Sequence, residues 1–248
     1  MLFCSVSFSQ NQSDEKAEAV VKKAVEKLGG QKYLQAKSQV SAGNFTLLAG
    51  GQPQPPSSFV DALVFPDKER TEFKQGGAKT IQTNAGDTGW IFDGANKIVK
   101  LQSKSEVEDF QRDVSASLNN LLRGDWQGKA TLSYAGRRQA SIGKRNDVVR
   151  LTYADGFAVE FEFSDDGLPV KAIYKRKNSN TGEEQKEEDR YAQFVEVQGV
   201  STPFIVDHFI NDQQTSRINY LNIEFNKNVP DSIFNKPNSP KDLKDLKF

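Results

Sequence analysis

The chain has 248 residues, 36% hydrophobic and 27% charged, which suits a domain with a sizeable core and excludes a disordered one. Lys plus Arg and Asp plus Glu each number 33, so no net field steers polyanions, and nucleic acid is not an expected partner. One His (His208) and one Cys (Cys4) exclude the usual zinc ligand sets, and no cofactor or metal is expected.

Residues Met1 to Ser9 are short, apolar and small ahead of the polar Gln10–Ser13. They read as the back half of a secretory signal, with Ser7 and Ser9 before a cleavage point and the basic front region missing. Residues 1–12 are therefore expected to be a signal remnant, and 13–248 a single exported domain without a disulfide. No other apolar run approaches the ~20 residues that span a bilayer.

Ser13 can cap a first helix, with Asp14 and Glu15 favourable beside its positive end. Ala17, Val20, Val21, Ala24, Val25 and Leu28 make its apolar stripe, and Gly29-Gly30 ends it. A first strand is predicted over 39–49, followed by a Gly/Pro-rich loop at 50–57. Short strands follow at 59–65, 69–74, 80–84, 89–92 and 97–101, with Asp93-Gly94 the clearest hairpin turn. One helix interrupts them. It opens at Ser105 and carries Val107, Phe110, Val114, Leu118, Leu121 and Leu122 on one stripe, closing at Arg123-Gly124.

Eight more strands are predicted, at 130–134, 138–143, 148–153, 157–163, 170–175, 190–197, 204–210 and 217–225. Phe157, Val159, Phe161 and Phe163 alternate with Ala158, Glu160 and Glu162, the period of a half-buried antiparallel strand. Residues 178–189 are acidic and apolar-poor, and read as an exposed hairpin end. Ile233 and Phe234 are the apolar anchor of a Pro-containing tail. Several strands are apolar on both faces: Val149, Leu151 and Tyr153 alternate with Val148, and Tyr191, Val195 and Val197 with Phe194. A sheet with one wet face does not need this, so the second face is expected to be covered in whole or in part, with the two amphipathic helices the obvious cover.

Catalytic motifs are missing. There is no nucleophile elbow, P-loop or dinucleotide fingerprint, and Ser141-x-x-Lys144 falls in a hairpin without companion motifs. His208 is in phase with Phe204, Val206 and Ile210 and reads as a hydrogen-bonded strand residue. A container or contact surface is expected rather than an enzyme.

Leu28-Gly29-Gly30, the run Val64-Phe65-Pro66-Asp67-Lys68-Glu69-Arg70-Thr71-Glu72-Phe73, and Gly89-Trp90-Ile91-Phe92-Asp93-Gly94 resemble the front half of LolA-like periplasmic proteins. Asp166-Gly167-Leu168-Pro169-Val170, the run from Gln198 to Phe204, Phe225-Asn226 and Phe234-Asn235-Lys236-Pro237 resemble the divergent outer-membrane lipoprotein-sorting relatives. The resemblance spans residues 15–237. It implies a mainly β fold: a curved antiparallel sheet, or incomplete barrel, with an N-terminal helix and an inserted lid helix over a hydrophobic cavity. It further implies a non-catalytic periplasmic carrier of a lipid or acylated polypeptide, expected to be a monomer with a possible envelope protein partner. The candidate ligand contacts are Phe65, Trp90, Phe92 and Phe161 on the sheet and Phe110, Val114, Leu118 and Leu121 on the lid. One departure stands out: the family's basic residue before the Pro of the strand-end motif is Phe65 here. An envelope sensor or protein-interaction module on the same fold is the alternative.

Overall fold

The structure is a computed structural model that describes residues 14–178 and 181–246; the expected signal remnant lies outside them. Helices α1 (Glu15–Lys27) and α2 (Gln31–Gln35) precede strands β1 (Ser38–Ala49), β2 (Gln52–Pro53), β3 (Ser57–Val64), β4 (Lys68–Gln75), β5 (Ala78–Ala85), β6 (Thr88–Asp93) and β7 (Ile98–Leu101). Helices α3 (Lys104–Ala116) and α4 (Leu118–Arg123) follow. Strands β8 (Ala130–Gln139), β9 (Arg145–Tyr153), β10 (Ala158–Phe163), β11 (Pro169–Lys177), β12 (Glu184–Val197), β13 (Val200–Ile210) and β14 (Gln213–Phe225) complete the order.

The sheet is antiparallel and open, running β7-β6-β5-β4-β3-β1-β14-β13-β12-β11-β10-β9-β8, with β2 paired to the end of β1. Its first and last long strands, β1 and β14, therefore meet in the middle, and β7 and β8 are the two edges. This topology dictates where α3 and α4 go. They are the stretch of chain that passes from one edge strand to the other, across the mouth of a sheet that does not close.

Local sequence sets the helix ends. Asp14 caps α1 by accepting from the Lys16 N–H at 2.8 Å, so the cap falls one residue after the expected Ser13. The interrupting helix is two helices rather than one. Ser103 forms a capping box with Glu106 at the start of α3, two residues before the expected Ser105. Ser117 is extended, with φ −69° and ψ 148°, and caps α4 through the Asn120 N–H, so the helix breaks there. Gly124, in the left-handed region at φ 79°, ends α4.

The two strands expected at 130–134 and 138–143 are one strand, β8, with a bulge between Tyr134 and Gly136. The expected exposed hairpin end at 178–189 is corrected more sharply, because β12 begins at Glu184 and Glu187 and Glu188 are buried. Their charges are met across the sheet by Arg176 for Glu187 and Lys171 for Glu188, and along β12 itself by Arg190 for Glu188.

The faces of the sheet differ in chemistry. On the inner face Leu132, Val149, Leu151, Val159, Phe161, Phe163 and Ala172 pack against Ala17, Ala24 and Leu28 of the first helical segment, Leu121 and Leu122 of α4, and Trp126. The outer face of β8–β12 is an ion lattice. Arg138 binds Glu160 and Glu162, Asn146 donates to Glu162 at 2.9 Å, and Lys171 lies between Glu162 and Glu188. Farther along, the C-terminal tail covers the outer face of β4–β6. Arg70 donates to the carbonyls of Ile233 and Lys244, and Trp90 Nε1 to that of Phe234 at 2.8 Å. The helices thus cover the inner face and the tail covers the outer face of β4–β6, whereas the outer face of β8–β12 carries charged side chains and Val195 of β12 is exposed, so the second face is covered only in part.

Candidate ligand-binding site

Between the inner face and the helices lies a cavity of about 460 Å³, within the range of small-molecule sites. Its apolar walls come from Leu28 at the end of α1, Leu63, Leu118 of α4, Val206, Ile218 and Phe225. Four of the chain's six tyrosines, Tyr33, Tyr174, Tyr191 and Tyr220, also line it. Register explains the convergence: Tyr191 pairs with Val206 across β12–β13, and both face inward with Ile218 and Tyr220 of β14.

One end is charged. Asp113, Arg176, Asp189 and His208 line the cavity there, with buried Glu187 behind them. Arg176 donates to Glu187 through Nε at 2.5 Å and to Asp113 through Nη1 at 2.8 Å, linking sheet to α3. His208 Nδ1 lies 2.7 Å from Asp189 Oδ1, and Nε2 is 3.6 Å from Glu187 Oε2. Burial opposes the charged imidazolium, but the Asp189 hydrogen bond and the charges of Asp189 and Glu187 outweigh it, so the His208 pKa is raised. The surrounding protein, assisted by Glu187, Asp189 and Asp109 against Arg176, raises Asp113. Because 53% of the Asp113 side chain touches water, solvent screens much of that effect.

Asp189, His208 and Ser216 occupy one cross-strand row, the residue types of a hydrolytic triad. No hydrogen bond joins the Ser216 and His208 side chains, and Nε2 faces Glu187 instead. The row lacks the nucleophile–base contact that acyl transfer needs.

Of the sequence-predicted contacts, Leu118 lines this cavity. Phe110 and Val114 of α3 line smaller clefts beside it, of about 340 and 220 Å³. Leu121 and Phe161 are fully buried in the helix–sheet core. Trp90 and Phe92 lie opposite Thr83 and Ile81 on the outer face, with Trp90 under the tail. Phe65 sits beneath the lid, where the Arg123 guanidinium stacks 3.8 Å from its ring centroid. Arg123 also donates to the Ala36 carbonyl at 2.7 Å, so a cation on the lid now grips the strand end that carries Phe65.

The two lid helices are held differently. Helix α4 buries Leu121 and Leu122 in the core. Helix α3 buries Val107, Phe110 and Ala116 and is also tied by polar contacts at its rim: Arg112 to Asp155, Asp113 to Arg176, Gln111 to the Gly86 carbonyl and Tyr153 to the Ser115 carbonyl. Water can replace such contacts, and exposed ion pairs contribute about 0–1 kcal/mol each.

An open, curved antiparallel sheet with helices across its mouth and a cavity beneath them is the LolA-like architecture. No family model matches this chain, and no curated protein matches its sequence. Solved structures do share the fold. A DUF1329 family protein from Desulfovibrio piger superposes with a TM-score of 0.61 at 13% identity, covering 88% of this chain and 97% of its own. A LolA superfamily protein from Nitrosomonas europaea gives 0.57 at 18% identity, covering 89% and 97%. A structure described as an outer membrane lipoprotein-sorting protein domain, from Vibrio parahaemolyticus, gives 0.58 at 13% identity, covering 88% and 97%. No helix among the described residues is long and apolar enough to cross a membrane.

Proposed function

We propose that this chain is a non-catalytic periplasmic carrier that holds one acyl chain of a lipid or acylated polypeptide in the inner cavity. The observation that carries the reading is the space of about 460 Å³ lined by Leu28, Leu63, Leu118, Val206, Ile218 and Phe225 between the inner face and the helices. The fold shared with LolA superfamily and lipoprotein-sorting structures supports it. Shielding hydrocarbon from water is worth about 0.8 kcal/mol per methylene, so twelve methylenes supply roughly 10 kcal/mol before ordering costs. Such a site needs no nucleophile.

Native mass spectrometry of protein purified from cells is the first test, with displacement of an uncharged fluorescent lauroyl amide as the second. Bound lipid and saturable displacement are expected, with displacement lost when Ile218→Trp fills the cavity. Protein that emerges without lipid and fails to bind the probe would refute the carrier reading.

A further inference from the structure

An acyl chain accounts for the apolar walls of the cavity and leaves its charged end without a role. We propose that this end receives an ammonium group, so that the preferred occupant is a single-chain amphiphile with a cationic amine head. This rests on the carrier reading and specifies its ligand.

The balance of charge at that end is negative. Asp113, Glu187 and Asp189 supply three carboxylates, and the single Arg176 is already committed to two of them, Glu187 and Asp113. His208 is committed to Asp189. Glu187 is 1% exposed, yet its Oε2 has no hydrogen-bond partner and looks toward His208, which lines the cavity. Glu187 stands behind the cavity wall, so its charge acts on an occupant through the field beside His208.

The neighbouring cavity adds to the field. Asp113 is shared between the two, and Glu69, Glu106 and Asp109 line the smaller one together with no Lys or Arg. A ligand carboxylate or phosphate would meet Glu187, Asp189, Glu106 and Asp109, against Arg176 and His208, which are both already paired with carboxylates.

The tyrosines point the same way. Tyr174 and Tyr191 share the inner face with Asp189 and His208, and Tyr33 and Tyr220 line the walls. Electron-rich ring faces beside carboxylates, at the end of an apolar slot, are the chemistry that recognises ammonium groups on hydrocarbon stems. Primary and quaternary ammonium heads both fit this description.

The test uses the full chain and the same displacement assay, with dodecylamine, dodecyltrimethylammonium, dodecanol and dodecanoate as competitors below their micelle concentrations. Both cations are expected to compete about tenfold better than dodecanol, and dodecanoate worse. The cation advantage should shrink to about threefold or less in Asp189→Asn and in Asp113→Asn. The second variant sits on half-exposed surface, so it reports even if the first does not fold. Lysophosphatidylethanolamine preferred over lysophosphatidylglycerol would assign the amine to a lipid headgroup; a preference confined to dodecylamine would assign a free amine. Dodecanol competing as well as the cations would overturn the ammonium site and leave the carrier reading intact. Failure of every competitor, dodecanol included, would overturn both.

Discussion

Asp61 and Glu69 form a carboxylate pair on the inner face, beside the small acidic cavity, and stability should respond to pH through them. The Thr71 hydroxyl lies 2.9 Å from Asp61 Oδ1 and 3.3 Å from Glu69 Oε1, and its one proton can serve only one of them. Burial first, and then the charge of Glu69, holds the Asp61 pKa well above the usual carboxylate range. Burial first, with Asp113 adding to it against the Thr71 hydrogen bond, pushes Glu69 up to about 7 from 4.5. A folded chain that keeps a proton the unfolded chain has released loses stability as pH rises. The loss therefore runs from about pH 4.5 to about pH 7 and levels off above it. For Glu69 alone it reaches at most about 3 kcal/mol.

Glu69→Gln keeps the shape and removes the charge. Urea unfolding followed by circular dichroism at pH 5, 6, 7 and 8 should show the variant matching the parent at pH 5. By pH 8 it should be more stable by about 1–3 kcal/mol, with a flatter profile. A variant that is less stable at pH 8, or that keeps the parent's slope, would refute the assignment of strain to this pair. The same assay bears on the ligand, since a bound ammonium nearby would neutralise part of the field and flatten the profile as the substitution does.

Phe234→Ala removes the buried anchor of the tail, where the Phe234 carbonyl accepts from Trp90 Nε1. It should cost about 3 kcal/mol and shift Trp90 emission to the red, while lauroyl probe affinity stays within twofold; loss of probe binding would place Trp90 in the cavity wall after all. Arg123→Ala breaks the grip on the Ala36 carbonyl and the stacking on Phe65 and Tyr33. It should destabilise by about 1–3 kcal/mol and speed probe release in stopped-flow measurements, and an unchanged release rate would remove Arg123 as a lid fastening.

The order of elements was legible because helix and strand periods differ and because Gly29-Gly30, Asp93-Gly94 and Asn211-Asp212 punctuate them. Which face of each strand turns toward the cavity was not. Alternation separates Trp90 and Phe92 from their neighbours on β6 but carries no sign of inside or outside, and aromatic residues occupy both faces because helices cover one and the tail the other. Phe161 alternates on the inner face, but its place under α1 and α4 follows from packing that no periodicity specifies. Glu187 and Glu188 read as solvated because Arg176 and Lys171 are brought beside them only by the register of β11 and β12, although Arg190, two residues along the same strand from Glu188, was visible in the sequence. The tyrosines were the missed signal. Four of six line the cavity, and a polar tip on an aromatic body is what a cavity with a charged end selects.

Topology also limits which part of this molecule can open. The long strands are paired along both sides from β6 round to β9, and their inner face is sealed by α1 and α4 through Ala17, Ala24, Leu28, Leu121 and Leu122. Lifting either of those helices exposes several fully buried aliphatic side chains, each worth about 1.5–3 kcal/mol. Helix α3 buries Val107, Phe110 and Ala116, and its remaining attachments are rim hydrogen bonds and ion pairs. It hangs between edge strand β7 and the extended residue Ser117, two points where the backbone can rotate without breaking a helix. Opening at α3 exposes Val107 and Phe110 as well as breaking its rim contacts. Because Asp113 rides on that helix and binds Arg176 on the sheet, the charged end is where such an opening would begin. A cationic head entering there would compete with Arg176 for Asp113, so admission and recognition would draw on the same carboxylate.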